Sequence, residues 1–281
     1  MSDKGFFLIN GDGKVLPGRA ELSAVRAAWS RDGKRLLGVH RTESDSWSDI
    51  ESVMSEAQRK YVVEKSKIAK PRMMAYTGDW KEFEILPEKN IPGGLLVAIV
   101  LYLRDNDAEG LPEKLGDKWK ELSEVKPTIW HLQILDRDGD TLKSGRVLVR
   151  SLDEIIFPTA SPDDKYVAYN SDSWGESGMG RSLFVVSADG GAVRVPAVNV
   201  AAGFDWSPDG QRLAYVRSSL IHNGIDEYLQ LGSLATIRIR GDDGALLKEW
   251  ETLEDRAGLL FNPFTIKWAQ RRALLFGSRW K

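Results

Sequence analysis

The first residues that could do chemistry form an aspartate-rich turn, Asp136-Arg137-Asp138-Gly139-Asp140. Alternating carboxylates supply the oxygen ligands of calcium loops, so a metal site is one interpretation of this turn. The corresponding positions elsewhere in the chain hold other turn sequences, at 10–13, 187–190 and 241–244. Because a tight turn explains all four segments, and because the bidentate glutamate of an EF-hand is missing, the sequence predicts neither a metal nor another cofactor.

A second chemistry, hydrolysis, needs a nucleophile and a base. Gly175-Glu176-Ser177-Gly178 is similar to a nucleophile elbow, but Met179 displaces its final glycine and the segment lies in a loop between predicted strands. The imidazoles that could act as a base are His40, His131 and His222. The first two lie at the ends of predicted strands, where structural histidines are common. The sequence therefore favours a protein that is not an enzyme and keeps a hydrolase as the alternative.

The composition argues against several classes of partner. Lys+Arg 39 against Asp+Glu 41 gives a net charge of -2, and the isoelectric point is about 6.0. The chain thus has no basic field that would attract nucleic acid or an anionic membrane. Cysteine is absent, which removes disulfides, thiolate metal sites and cysteine nucleophiles together.

The compartment is predicted from the absence of export and membrane signals. No apolar run approaches the roughly 18 residues of a membrane span, so no membrane insertion is expected. Met1–Gly5 lack the layout of a signal peptide. The sequence as it stands predicts a cytoplasmic protein, and a periplasmic or secreted one if a signal peptide was removed.

The elements that position these residues follow a repeat. Phe204–Val216 contains an apolar run, a Trp-Ser pair, a Pro-Asp-Gly corner and a second apolar run. Proline presets φ, aspartate bonds its own backbone and glycine accepts a positive φ, so the segment predicts a β-hairpin. Similar segments begin at Trp29, Ala160 and Trp268. We name the two strands of this hairpin b and c.

A second pattern is an apolar strand that runs into a glycine-containing turn. Its first and third positions are always apolar and its second position varies, which is typical of an outer strand with one half-exposed face. We name this strand d. Four copies align without gaps, at Phe6–Gly13, Leu132–Gly139, Leu183–Gly190 and Ile237–Gly244.

Periods of about 40–50 residues with several short strands each are typical of a β-propeller. The prediction is an all-β chain whose residues 1–281 form a single closed β-propeller of five blades, with a helical insertion in the first blade. Gly94–Leu103 is expected to be a buried strand pair or one arm of a hairpin, and Phe6–Gly13 is expected to close the ring on the C-terminal blade. The blades are predicted near Trp29, Gly94, Ala160, Trp206 and Trp268.

These two patterns carry a family resemblance. Trp206–Tyr215 (WSPDGQRLAY) and Leu183–Gly191 (LFVVSADGG) resemble the WD-repeat-like blades of TolB-type propellers. They are also similar to blades in the propeller domains of prolyl-oligopeptidase-family peptidases. The resemblance is strong over 155–250, fair over 5–40 and poor over 41–127. It implies a protein-binding platform without the separate hydrolase domain of the peptidases, and it allows a sixth blade in the poorly matching region.

Long insertions are expected between strands c and d. They cover 41–71, which includes the helix-like run Ser48–Ile68, and 104–126, and shorter ones cover Ser171–Gly180 and Ser218–Ser233. Because strands alternate in direction within a blade, all c–d connections should emerge on one face and the short turns on the other. Loops on a rigid scaffold usually carry recognition, so the face with the long c–d loops is the predicted working face.

The tryptophans divide into two groups. Trp29, Trp206 and Trp268 share one position in strand b and are expected to pack between blades. Tryptophans in the insertions are either local packing residues or binding anchors. The predicted binding residues on the working face are Trp47, Trp119, Trp174, Ile221 and His222.

The sequence thus predicts a non-catalytic protein-binding or scaffold protein, whose partner is a protein of unknown identity. The alternative is a propeller hydrolase acting on a carbohydrate or peptide at the channel mouth, which would need paired carboxylates at the axis. The aspartates are concentrated in turns, and no acidic residue recurs in a strand position facing the axis, so binding is the preferred interpretation.

Overall fold

The structure of this chain is a computed structural model. It describes residues 24–30, 32–78, 83–88, 91, 93–138, 141–142, 145–175, 178–197, 200–222, 228–241, 243, 246–254, 259–260, 265–269 and 272–276. The strand Phe6–Gly13, expected to close a ring, lies outside these residues.

The described strands form four antiparallel sheets that follow one another along the chain. Sheet 1 contains β1 (Ala24–Trp29), β2 (Arg35–Glu43), β3 (Thr128–Asp138), β4 (Thr141–Leu142) and β5 (Arg146–Ser151). Sheet 2 contains β6 (Ile155–Ala160), β7 (Tyr166–Gly175), β8 (Gly178–Ser187) and β9 (Arg194–Ala197). Sheet 3 contains β10 (Val200–Trp206), β11 (Arg212–His222), β12 (Tyr228–Arg240), β13 (Leu246–Glu254) and β14 (Leu259–Leu260). Sheet 4 is the pair β15 (Thr265–Ala269) and β16 (Arg272–Phe276).

Helices occupy the long connection between β2 and β3. They are α1 (Trp47–Val53), α2 (Glu56–Ala75), α3 (Gly93–Asn106), α4 (Leu111–Leu115) and α5 (Asp117–Ser123). We name residues 44–127 the helical subdomain.

The prediction of an all-β, single closed propeller of five or six blades is wrong. In the described part of the chain the sheets are separate, none is closed into a ring, and five helices accompany them. The largest error is at Gly94–Leu103, which forms most of helix α3 and not a strand pair. A continuous apolar run fits a buried helix as well as a buried strand, because such a run has no polar face that would reveal its period.

The d pattern also takes a different place from the one expected. It forms the third strand of each of the first three sheets, and a further strand pairs outside it: β5 on β3, β9 on β8, and β13 on β12. The d strands are therefore interior strands. Their variable second position does not mark the sheet edge.

The helices begin and pack as their sequences dictate. Ser55 and Gln58 form a capping box at the start of α2, in which the side-chain oxygen of each residue accepts the backbone N–H of the other. Helix α3 is apolar on most sides, and its residues Leu95, Ile99, Leu101 and Leu103 are at most 1% exposed. They form the centre of a helical cluster with Ile50 and other residues of the neighbouring helices. The subdomain thus has its own hydrophobic core.

Two further clusters join the sheets. Leu37, Val39 and Leu132 of sheet 1 pack with Val167 and Tyr169 of sheet 2. On the other face of sheet 2, a second cluster joins it to sheet 3, and its members include Ala168, Leu183, Phe204, Trp206 and Leu213. Sheet 2 is therefore covered on both faces.

No described helix combines the length and apolar character that crossing a membrane requires.

Candidate functional site

The corners between strands b and c share one hydrogen-bond pattern. The hydroxyls of Ser30, Ser161 and Ser207 donate to the aspartate two residues later, over 2.5 to 2.8 Å. Each serine oxygen also accepts the backbone N–H five residues later, at 2.8 to 3.0 Å. Each aspartate in turn accepts a backbone N–H across the corner. The predicted bond from the corner aspartate to its own backbone is confirmed at all three corners, and the predicted glycine with positive φ at two of them, Gly33 and Gly210.

These bonds hold the corner aspartates in their charged form. The backbone N–H of Lys34 and the hydroxyl of Ser30 keep the pKa of Asp32 below its ordinary value. Burial raises the pKa of Asp163, but hydrogen bonds from Ser161 and Arg240 outweigh that effect, and the pKa is lowered. The corners are therefore built around ionised carboxylates.

Arg240, the last residue of β12, ties the corner of sheet 2 to that of sheet 3. Its Nη2 lies 2.9 Å from Oδ2 of Asp163, and its Nη1 donates to the carbonyl of Gly210 at 3.3 Å. Its guanidinium also lies 5.0 Å from the ring centroid of Tyr166. The residue is only 5% exposed. This interaction was missed from the sequence, although the chain carried a signal: the other d strands hold Ile9, Leu135 and Val186 at that position.

Arginines of sheet 1 reach sheet 2 in the same way. Arg35 donates from Nη1 to the carbonyl of Asp164 at 3.2 Å, at the corner of sheet 2. The corners of the first three sheets are joined by Arg35 and Arg240 and lie on one side, which we name the turn side. Arg26 also joins sheet 1 to sheet 2, but at the end of β6 away from the corner, where it donates to the carbonyl of Ile155 at 3.0 Å and forms an ion pair with Glu154 at 2.8 Å.

The opposite ends of the same strands face the other side, because antiparallel strands alternate in direction. The three c–d connections leave the sheets on this side, and they join β2 to β3, β7 to β8 and β11 to β12. We name this the connection side. It carries the helical subdomain from sheet 1 and two strand extensions from sheets 2 and 3.

The helical subdomain is fixed to the sheets by polar contacts at its base. Gln58 donates from Nε2 to Oδ2 of Asp153 at 3.1 Å, in the loop between β5 and β6. The backbone of Ser44 bonds the carbonyl of Pro127 at 3.3 Å, where the chain enters and leaves the subdomain. The side chain of Leu152 joins the helical cluster. These contacts position the subdomain above sheets 1 and 2.

Charged residues at the end of α3 strengthen the same base. Arg104 contacts Oδ1 of Asp105 at 2.6 Å and donates to the carbonyl of Ser123 at 3.2 Å. Asp105 accepts the backbone N–H of Trp47 at 3.1 Å. The Arg104 guanidinium lowers the pKa of Asp105, so this carboxylate stays ionised where the subdomain begins.

The connections of sheets 2 and 3 are two-stranded ribbons. Ribbon 1 pairs Asp172–Gly175 with Gly178–Arg181, beyond the last pair of β6 with β7 at Ile155 and Ser171. Ribbon 2 pairs Ser218–His222 with Tyr228–Gly232, beyond the last pair of β10 with β11. At about 3.3 Å a residue, the ribbons extend roughly 13 and 17 Å past their sheets.

The predicted binding residues divide between the two kinds of connection. Trp47 and Trp119 are 8% and 7% exposed and belong to the helical cluster, where Trp47 meets the ring of Tyr102 edge-on. Their position makes them packing residues of the subdomain. The backbone places Trp174 in ribbon 1, opposite Met179, and Ile221 and His222 in ribbon 2. The five predicted residues are therefore divided between the helical subdomain and the backbones of the two ribbons.

Trp206 and Trp29 show how far the shared strand-b position determines packing. Trp206 is 5% exposed, and its Nε1 donates to the carbonyl of Thr159 in sheet 2 at 3.1 Å. Its predicted packing between sheets is confirmed. Trp29 is 43% exposed. The guanidinium carbon of Arg137 lies over the indole of Trp29, 5.9 Å from the ring centroid. The same prediction is wrong for Trp29. Of the third, Trp268, the structure describes only the backbone.

Two histidines considered as bases lie side by side in sheet 1. The rings of His40 and His131 stack with centroids 4.5 Å apart and planes 7° apart, and Nε2 of His131 lies 2.8 Å from the hydroxyl of Thr42. Burial, then the nearby His40 and Arg150, lower the pKa of His131 to about 4. Burial also lowers the pKa of His40. The pair is therefore neutral at pH 7.

The other chemical motifs lie partly outside the described residues. The structure does not describe Glu176 and Ser177 of the elbow-like segment, or Gly139 and Asp140 of the aspartate-rich turn. Asp136 lies 3.9 Å from Nε of Arg35, beside a cavity of about 480 Å³ on the turn side. Within the described residues, no three acidic or histidine side chains group as a metal site would need.

Comparison with known proteins gives weak likenesses. No protein-family model matches this chain, and no curated protein matches it. Among solved structures it is similar to TolB from Acinetobacter baumannii, with 18% identity and a TM-score of 0.27. It is also similar to an oligogalacturonate lyase in complex with manganese, with 13% identity and a TM-score of 0.33. A third is the acylaminoacyl peptidase of Pyrococcus horikoshii, with 12% identity and a TM-score of 0.29.

These likenesses cover 46%, 78% and 46% of this chain, in the same order. They cover 36%, 47% and 22% of the three solved chains, so this chain spans less than half the length of each. One of these neighbours is TolB, and the repeated pattern in the sequence resembles the blades of TolB-type propellers. At these TM-scores they support no conclusion about the activity of this chain.

Proposed function

We propose that this chain is a non-catalytic binding protein that holds a protein partner on its connection side. The observation that carries the proposal is that three neighbouring sheets send their long connections out on the same side. The turn side is fixed by short corners and by arginines that cross between sheets. Varied connections on a repeated frame are the usual arrangement of a recognition surface.

The size of this surface favours a macromolecular partner. The helical subdomain and the two ribbons project from three different sheets, so a partner that contacts all three must span them. Stable protein interfaces bury about 800 Å² on each side. The chain has a net charge of -2, so a protein is a better candidate than nucleic acid.

The ribbons are the proposed contact elements, with Trp174, Ile221 and His222 as their candidate contact residues. The backbone places Ile221 opposite Leu229, so apolar residues occupy one cross-strand pair of ribbon 2. Aromatic and aliphatic anchors of this kind contribute most of the binding energy at protein interfaces. Trp47 and Trp119 support the surface from inside the helical subdomain.

The proposal is tested with variants in which each ribbon is replaced by an Asn-Gly turn. One variant replaces residues 172–181 and the other 218–232. Each is immobilised beside the full chain, and captured proteins from an extract of the source cells are quantified by mass spectrometry. We expect at least one protein to bind the full chain and to be lost from both variants.

The matched control changes the turn side instead. Asp189→Ser alters a side chain that is 94% exposed there, and it should retain every captured protein. Circular dichroism and thermal unfolding verify that all variants fold. If both ribbon variants retain every protein captured by the full chain, the proposed function is wrong.

A further inference from the structure

Sheets 2 and 3 differ in how far their third strand is covered on its outer edge. In sheet 3, β13 pairs with β12 up to Ala235, and β14 then pairs with Leu231 and Gly232 in ribbon 2. In sheet 2, β9 pairs with β8 at Leu183 and Val185. Within the described residues, no strand pairs with Gly178–Arg181 on that edge.

The chain itself shows why the two edges differ. After β13 it continues along ribbon 2 and adds the short antiparallel strand β14, with Gly232 opposite Leu259. In sheet 2, β9 ends at Ala197, and the next strand, β10 of sheet 3, begins at Val200. Among the residues that the structure describes, sheet 2 has no segment equivalent to β14, although its third strand extends into a ribbon of the same kind.

The glycine that accepts β14 has a counterpart in sheet 2. Gly232 lies five residues before Ile237, the first residue of its d pattern, and Gly178 lies five residues before Leu183, the first residue of the aligned pattern. A glycine inside a strand often marks a place where another backbone approaches closely. Gly178 is the first residue of β8, and Gly180 lies inside that strand.

We propose that the outer edge of Gly178–Arg181 binds an extended peptide segment of the partner as an added antiparallel strand. An uncovered strand edge presents unpaired N–H and C=O groups, and peptide ligands bind such edges through backbone hydrogen bonds. The incoming strand would continue the line of β9, as β14 continues the line of β13. This inference rests on the proposed function and names the class of partner segment.

The test uses a random dodecapeptide library displayed on phage. Peptides are selected on the full chain and then counter-selected on the variant in which an Asn-Gly turn replaces residues 172–181. Each selected peptide is synthesised with a single N-methyl group moved along its backbone, and binding is measured by fluorescence anisotropy. Hydrogen–deuterium exchange of residues 178–181 is measured with and without peptide.

Strand addition has a signature that side-chain binding lacks. Backbone groups of a strand face its partner at every second residue. We therefore expect N-methylation to weaken binding at least about tenfold at alternate positions and less than about twofold between them, a contrast of roughly 1 kcal/mol or more. The amides of 178–181 should exchange more slowly in the complex.

Several outcomes would overturn the inference. These are selected peptides with no alternation, peptides that bind the trimmed variant equally well, and a selection that yields no peptide dependent on ribbon 1. Pairing of this edge between two copies, seen as dimers in analytical ultracentrifugation, would overturn it as well. The proposed function fails separately, because it is contradicted only when the ribbon variants keep all captured proteins.

Discussion

The turn side and the connection side use the same strands in opposite ways. On the turn side, three corners repeat one set of serine and aspartate hydrogen bonds, and arginines cross from sheet to sheet. On the connection side, the same strands lead to a helical subdomain and to two ribbons of different length. The repeat is retained where it makes the contacts between sheets. It diverges where the connections project away from those contacts.

If the turn side is the framework, removing its most buried interaction should have the largest effect on stability. Breaking one partner of a buried ion pair costs roughly 3–5 kcal/mol. Asp163 is partly exposed, so we expect Arg240→Ala to lower the free energy of unfolding by about 3 kcal/mol. Urea denaturation monitored by tryptophan fluorescence measures this change.

A matched variant tests whether burial is the reason. Lys34 lies 3.8 Å from Asp32 with its side chain 79% exposed. Lys34→Ala should therefore change stability by less than about 0.5 kcal/mol. Equal denaturation midpoints for Arg240→Ala and the parent chain would show that the corners do not depend on this interaction.

The pH dependence of stability should separate the two sides by their ionisable groups. The imidazole of His131 has a pKa of about 4 in the folded chain and near 6.5 when unfolded. Between these values the unfolded state binds more protons, so stability falls as the pH falls from about 6.5 to 4, by about 2 kcal/mol. The corner aspartates have lowered pKa values, so their contribution is lost only at lower pH.

Replacing one ring isolates this effect. His131→Gln keeps a polar group near Thr42 but cannot take up the proton, so its stability should change much less over the same window. The measurement is urea denaturation at half-unit pH steps. Parallel curves for the variant and the parent chain would mean that the stacked pair does not determine stability in mild acid.

Local and non-local physics explain which features could be predicted from the sequence. The corners were predicted correctly because neighbouring residues form the turn: Asp209 accepts a backbone N–H of its own corner, and Gly210 adopts the positive φ that the turn needs. The hydrogen bonds of Ser207 were not predicted. Helix α3 was not predicted correctly, because a uniformly apolar run is equally compatible with a buried strand and with a buried helix. The closed ring was inferred from pairing between distant segments, which no local pattern determines.

The candidate site shows the same division. The position of the ribbons followed from the lengths of Ser171–Gly180 and Ser218–Ser233. The burial of Trp47 and Trp119 could not be predicted from the sequence, because it depends on the arrangement of five helices. Only the structure shows which segments pack against these two rings.

Two corner glycines sharpen the comparison within the turn side. Both have positive φ, 70° at Gly33 and 67° at Gly210. A Cβ on Gly33 meets nothing within 4 Å, whereas one on Gly210 lies 3.1 Å from Nη1 of Arg240 and 3.3 Å from Cδ of Pro162. We expect Gly33→Ala to cost about 1 kcal/mol from backbone strain alone. Gly210→Ala should cost about 1 kcal/mol more, because it also displaces the arginine.

Thermal and urea unfolding of the two variants measure this difference. The double variant Gly210→Ala with Arg240→Ala serves as the control, since most of the extra cost should disappear once the guanidinium is absent and only the contact with Cδ of Pro162 remains. Identical effects at the two glycines would indicate that the space beside Gly210 is not limited by the arginine.

The smallest effect is expected where the framework ends and the connections begin. Replacing residues 172–181 by an Asn-Gly turn removes only pairs beyond the last contact of β6 with β7. We expect stability to change by less than about 0.5 kcal/mol, as for other substitutions outside packed regions. Removing one further pair, Ser171 with Ser182, should cost more than about 1 kcal/mol, because both residues are at most 2% exposed and belong to the packed sheet. A pair of denaturation curves measures the step between the two deletions. If both deletions cost equally little, the framework ends closer to the corners, and if both cost equally much, ribbon 1 is part of the framework.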